Sequence, residues 1–190
     1  MCTLSLNCRP TPLLAALALL AACSSAPTAR VNDQLDPNTG TTVIVLANPV
    51  QLVTVENRGP SRDPFAFAAP FDVDRMGNRE LYLWVSVPQD NGMPSSVRVL
   101  CNDQPLELAP VRLDPARLQI SRPPYPPVAL WTGNWYFRLP DAALECLAGA
   151  RRMTVESTIP DRSGERTERF AAEASEMRGF AAFAAHLKGS

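Results

Sequence analysis

From Thr41 onward the sequence predicts a mainly β chain arranged as an antiparallel β-sandwich, with an Ig-like order as one option within that class. Three observations predict it. Short runs of β-branched and aromatic residues recur, several of them alternating apolar and polar at period two. Clusters of Gly, Pro, Asn and Asp punctuate them at regular spacing. Helical spacing is confined to a short stretch near 141–148 and to the C-terminal end, where a closing helix would cover a sheet face or an edge.

The elements follow in order. Thr42 to Ala47 and Gln51 to Glu56 read as strands on either side of Asn48-Pro49. Pro64 to Val73 carries Phe65, Phe67, Ala69 and Phe71 at period two, and Pro70 suggests an edge or a bulge. Glu80 to Val87 alternates most clearly. Leu81, Leu83, Val85 and Val87 take one face, and Tyr82, Trp84 and Ser86 the other. The turn Gln89-Asp90-Asn91-Gly92 then predicts a hairpin in which Val97 to Cys101 returns against it. Residues Asn102 to Val128 are proline-rich and irregular, with a short strand expected at Leu118 to Ile120. Asn134 to Leu139 reads as a strand and Asp141 to Ala148 as a short helix with Pro140 near its start. Met153 to Ile159 and Glu165 to Ala171 flank the turn Pro160-Asp161-Arg162-Ser163-Gly164 as a second hairpin. In Ser175 to Leu187 the residues Met177, Phe180, Ala181, Ala184 and Leu187 follow helical spacing, with Gly189 as a stop.

The N-terminus is of another kind. Leu13 to Ala22 is an apolar run shorter than the roughly 20 residues a membrane helix needs, and of the size of a signal-peptide core. It ends in Leu20-Ala21-Ala22-Cys23, which resembles the lipobox of bacterial lipoproteins. The segment before it departs from the usual basic pattern, with Arg9 as its one positive side chain and two prolines. The resemblance implies a diacylglyceryl group on the Cys23 thiol and cleavage just before it. It divides the chain into a signal peptide at 1–22, a lipidated tether at 23–40 and one β domain at 41–190. Ser24 in place of an Asp implies the outer membrane, facing the periplasm. The partner so implied is a membrane, met through lipid on Cys23. Two or three acyl chains satisfy the two-signal requirement for stable attachment.

The cysteines fit that address. Cys2 and Cys8 leave with the signal, and Cys101 and Cys146 remain as an even pair in a chain sent to an oxidising compartment. A disulfide between them is expected; a redox pair or a two-ligand metal site is the alternative. A metal would need more ligands, and the one histidine is His186. That residue is more simply a helix-end side chain near the C-terminal dipole.

Composition and motifs narrow the chemistry. A net charge of −1 offers no basic stripe for nucleic acid. No G-x-S-x-G elbow, phosphate-binding Gly-rich loop or H-E-x-x-H helix is present. No cofactor, metal or catalytic residue is therefore expected. Asp36-Pro37-Asn38-Thr39-Gly40 brushes a calcium-loop pattern, but the bidentate Glu at loop position twelve would fall on Ala47, so a turn is expected. Asp72 and Asp74, two apart on a strand, share a face and would suit acid–base work on a glycan, or a divalent ion; a polar strand end beside Arg75 is the simpler expectation. The Pro-rich segment carries Tyr125 and Trp131, a candidate interaction surface, next to Trp135, Tyr136 and Phe137. Its bland alternative is a loop packed over the sheet, with Trp135 and Phe137 in the core. Together these features point to a non-enzymatic accessory module of the cell envelope with a protein partner. A glycan- or small-ligand-binding module and a carboxylate-dependent glycan hydrolase are the alternatives.

Overall fold

The computed structural model describes residues 29–55, 65–89, 93–162 and 164–189. Cys23 and the expected signal segment, residues 1–22, lie outside them. The strands are β1 (Val31–Leu35), β2 (Thr42–Leu46), β3 (Val50–Thr54), β4 (Phe65–Arg75), β5 (Asn78–Pro88), β6 (Ser96–Cys101), β7 (Gln104–Pro105), β8 (Pro110–Val111), β9 (Thr132–Arg138), β10 (Arg152–Asp161) and β11 (Gly164–Glu173). The helices are α1 (Pro115–Leu118), α2 (Asp141–Ala148) and α3 (Arg178–Gly189).

All eleven strands belong to one curled, open, antiparallel sheet, where the sequence predicts two facing sheets. Its order is β7-β6-β10-β11-β3-β4-β5-β9-β8, with β2 also on β4 and β1 on β2. The branch lies on β4. One edge of β4 pairs with β5 along most of its length. The other edge serves β3 from Phe65 to Ala68 and β2 from Phe71 to Asp74. Between these two partners sits Pro70, a residue without an N–H to leave unpaired. Its carbonyl accepts from the Tyr125 hydroxyl at 2.7 Å, and that oxygen accepts from the Leu46 N–H at 2.9 Å. One phenol thus closes the gap that two competing strands leave in the ladder.

Several local expectations are corrected. The 80–101 hairpin does not form: β5 pairs with β4 and β9, and β6 with β10 and β7. β5 turns back from β4 at Met76-Gly77, whose φ values of 53° and 85° give the paired left-handed conformation of a two-residue hairpin. Asp74 accepts from Gly77 N at 2.9 Å and fixes that turn. Leu118 to Ile120 is not a strand. Asp114 caps a helical turn with Pro115 at its start, and Gln119 ends it in the left-handed region. Val31–Leu35 is a strand rather than tether, so the folded domain begins earlier than Thr41.

The two faces of the sheet are covered differently. On the face of Asp72, Ile44 and Leu81, α2 and α3 pack. There Gly179 lies so close to Leu46 that a Cβ would come within 2.6 Å of its side chain. On the opposite face Phe71 stacks on Tyr82 at 5.1 Å, and Trp84 on Tyr125 at 4.8 Å, beneath the Pro-rich segment.

Tyr125→Phe keeps the ring and orphans two buried backbone groups, so it is expected to lower the unfolding free energy by about 3 kcal/mol. Urea denaturation measures this. A loss below about 1 kcal/mol would mean the gap is closed by other means.

Candidate functional site

Cys101 ends β6 and Cys146 lies in α2, with their Cα atoms 6.4 Å apart, at disulfide distance. The placement is local in origin. Pro140 starts α2, and its buried Leu144 and Leu147 turn the helix onto the sheet. Asn102, beside Cys101, has φ +48° in the tight turn to β7, and its side-chain oxygen accepts from Arg151 N at 2.9 Å and Arg152 N at 3.2 Å. The cysteine pair therefore sits between α2 and a strand end already tied to its exit. Among the described residues no group of three or more His, Cys, Asp or Glu side chains is placed to hold a metal ion.

The two carboxylates of the β4 end share a strand face but take different roles. Asp74 serves the Met76-Gly77 turn. Asp72 is 2 % exposed and accepts from Arg79 Nε at 3.0 Å. The register explains this partner: Asp72 faces Leu81, and Arg79 is the diagonal neighbour two residues along β5. Burial pushes the Asp72 carboxyl above its ordinary 3.8, against the pull of the Arg79 hydrogen bond and charge. Over it opens a cleft of about 430 Å³ between α2, α3 and the sheet, lined by Asp72, Arg79, Asp141, Glu145 and Lys188 with Leu81, Leu144 and Leu187. Lys188 and Glu145 pair across its mouth at 3.3 Å. Sequence inspection finds Asp72; it misses Arg79, Asp141, Glu145 and Lys188, because the helices that bring them meet only in three dimensions. His186 does not line this cleft. Its Nε2 lies 2.8 Å from Asp33 and ties α3 to β1.

A second charged cluster lies at the opposite face. Glu80 meets the Tyr82 hydroxyl, Arg138 at 3.4 Å and Arg117 at 3.6 Å. The Tyr82 hydrogen bond is the main reason its carboxyl is held below the ordinary range. Burial first, and Glu80 second, push Tyr82 up to about 12.

The aromatic pair Tyr125 and Trp131 separates. Tyr125 is 5 % exposed and spends its hydroxyl on the backbone of β2 and β4, so it offers no surface. Trp131 is 53 % exposed. Phe137 is buried and Trp135 half-buried; both stand on β9 opposite Leu83 and Val85, on the face away from the Pro-rich segment. The calcium-like loop is a turn. The Asp36 carboxylate accepts from Asn38 N at 3.0 Å and from the Ser121 hydroxyl at 3.0 Å. No family model, curated protein or solved structure matches the chain.

Two measurements probe these sites. Replacing both Cys101 and Cys146 by Ser opens a loop of separation 45, which loop entropy values at about 4 kcal/mol. Denaturation of the oxidised protein and the double variant should differ by that order. For Asp72, a carboxyl raised in the folded state gives stability that is fully present below 3.8 and is lost as pH rises through its folded value. Asp72→Asn should abolish this slope, gaining on the parent between acid and neutral pH while still accepting from Arg79. Parallel pH profiles of the denaturation midpoint would rule out burial as the dominant effect.

Proposed function

We propose that this chain is a lipid-anchored protein of the bacterial envelope. In this reading Cys23 carries the lipid, residues 1–22 are removed, and the β domain sits at the periplasmic face of the outer membrane. There it acts as a non-catalytic accessory module for another envelope protein. The observation that carries the proposal is Leu20-Ala21-Ala22-Cys23 closing the apolar run from Leu13. Two structural features support it. Cys101 and Cys146 lie at the distance of a disulfide, a bond that persists in oxidising compartments. The first strand begins at Val31, so a folded domain follows Cys23 closely.

A second reading, a small-ligand or glycan-binding module, draws on the cleft over Asp72. Its size suits a sugar or a small zwitterion. Asp72 and Asp74 favour binding over hydrolysis, since one is bound to Arg79 and the other holds a turn. We further propose that the curl closes the sheet on itself in the manner of a sandwich. A single apolar cluster drawing on Val99 of β6 and Phe137 of β9 supports this.

Metabolic labelling with a clickable fatty acid tests the anchor. The wild-type chain is expected to take label and fractionate with the outer membrane, and Cys23→Ala to lose both. Label retained by Cys23→Ala would overturn the proposal.

A further inference from the structure

The segment that folds over the aromatic face ends in an apolar tip. Thr132 N donates to Ala129 O at 3.2 Å, so Leu130 and Trp131 are the two central residues of a β-turn. Leu130 is 100 % exposed and Trp131 53 %, and Val128 beside them is exposed as well. The turn is held on both sides. Gln89 N donates to Trp131 O at 2.7 Å, and the Thr132 hydroxyl donates to Ala129 O at 2.9 Å. Pro126 and Pro127 stiffen the approach. A fully exposed leucine beside a half-exposed tryptophan on a braced turn is presented for contact, at little cost in ordering.

The chain's own geometry says what lies opposite. Val31 pairs with Leu46, and Ala47 N donates to Arg30 O at 2.8 Å, so the chain before β1 leaves beside Leu46. β1 and β2 are antiparallel, and Val45 faces Phe71 on β4. Ala29 and Arg30 therefore lie toward the Phe65 end of β4. Phe67 faces Ser86 on β5, and Pro88 faces Thr132 on β9, which sets the 129–132 turn beyond that same end. Leu46 itself is bonded to Tyr125, five residues before Leu130 along the chain. From the level of Leu46 to that of Thr132 is about five residues of strand, or ~17 Å. The seven links from Cys23 to Arg30 reach at most ~25 Å.

We infer that the Val128–Trp131 turn is a membrane-docking tip, set against the lipid surface by the anchor on Cys23. Leu130 enters the acyl region and Trp131 takes the interface, where indole rings are enriched. The inference rests on the proposed acylation of Cys23, which supplies the surface. The tip then adds a second point of attachment and holds the domain in one orientation on the membrane.

The test uses the full chain produced in a bacterial host. The acyl group on Cys23 is checked by intact mass, and the protein is reconstituted into phosphatidylcholine–phosphatidylglycerol vesicles with brominated acyl chains. Trp84 is buried and Trp135 half-buried, so bromine reports on Trp131. Quenching relative to unbrominated vesicles is expected in the wild type. It should be lost in Trp131→Phe and reduced in Leu130→Asp, with equal protein in the vesicles. Leu130 makes no buried contact, so the latter variant tests the tip without disturbing the core. Acylated protein whose quenching is absent, or unchanged by Trp131→Phe, would overturn the inference and leave the tip to a protein partner. A mass without acyl on Cys23 would instead bring down the anchoring proposal, and the inference with it.

Discussion

The edge of a β-strand can hydrogen-bond only one neighbour at any residue, and β4 has two on the same side. The architecture rests on how that conflict is settled. β3 leaves the edge after Ala68 and β2 enters at Phe71. Of the two residues between them, Ala69 and Pro70, the second is the one type that lacks a backbone donor, and its carbonyl is met by a phenol. On one side of this break lie β2 and β1, reached by α3 through Leu46 and His186. On the other lie β3, β11, β10 and β6, reached by α2 through the Cys101–Cys146 pair. α2 and α3 in turn pack together over the face that carries Asp72. The helices therefore span a branch that the strands alone would leave as a hinge.

What could be read from the sequence was set by neighbours close in the chain. The β10–β11 hairpin is legible because its turn and both alternating arms are contiguous. The helix Asp141–Ala148 is legible because Pro140 and the Leu144/Leu147 spacing lie within it. β5 shows the opposite case. Its residues from Tyr82 to Pro88 are buried on both faces, so alternation says that it is a strand but does not choose its partner. Asp90-Asn91-Gly92 is a stronger turn signal than Met76-Gly77, yet the latter makes the hairpin. A methionine at positive φ is uncommon, and its conformation follows from the pairing rather than from its own preference. β1 was unreadable for another reason: Val31–Leu35 is an exposed edge strand, with one apolar residue at either end of a polar centre.

The site divides in the same way. Asp72 and Asp74 could be placed on one face from spacing alone. That one is buried and the other only half-buried depends on where α2 and α3 pack, which spacing does not contain. Tyr125 is the sharper case. Prolines on both sides mark it as a loop residue, and loop aromatics are read as surface. Its partners are 79 and 55 residues away in sequence, at Leu46 and Pro70. Pro70 carried a usable signal, since a proline inside an alternating run implies an edge or a bulge. What the proline does not reveal is which distant hydroxyl meets the vacated position on the ladder.

The early start of the fold bears on the proposed anchor as much as any residue in the site. A tether running from Cys23 to Gly40 could extend to ~60 Å, leaving the domain free to face any direction above a membrane. With β1 starting at Val31, less than half of that length is left between the lipid and the sheet. A short tether converts the position of its exit into an orientation, because only surfaces near the exit can meet the bilayer. The chain enters β1 beside Leu46 of β2, and the Tyr125 hydroxyl that bonds Leu46 also fixes the path of the segment leading to Leu130. The hydroxyl that completes the ladder thus couples the direction of the proposed tether to the placement of the apolar turn. Loss of that bond would loosen both ends of the arrangement together.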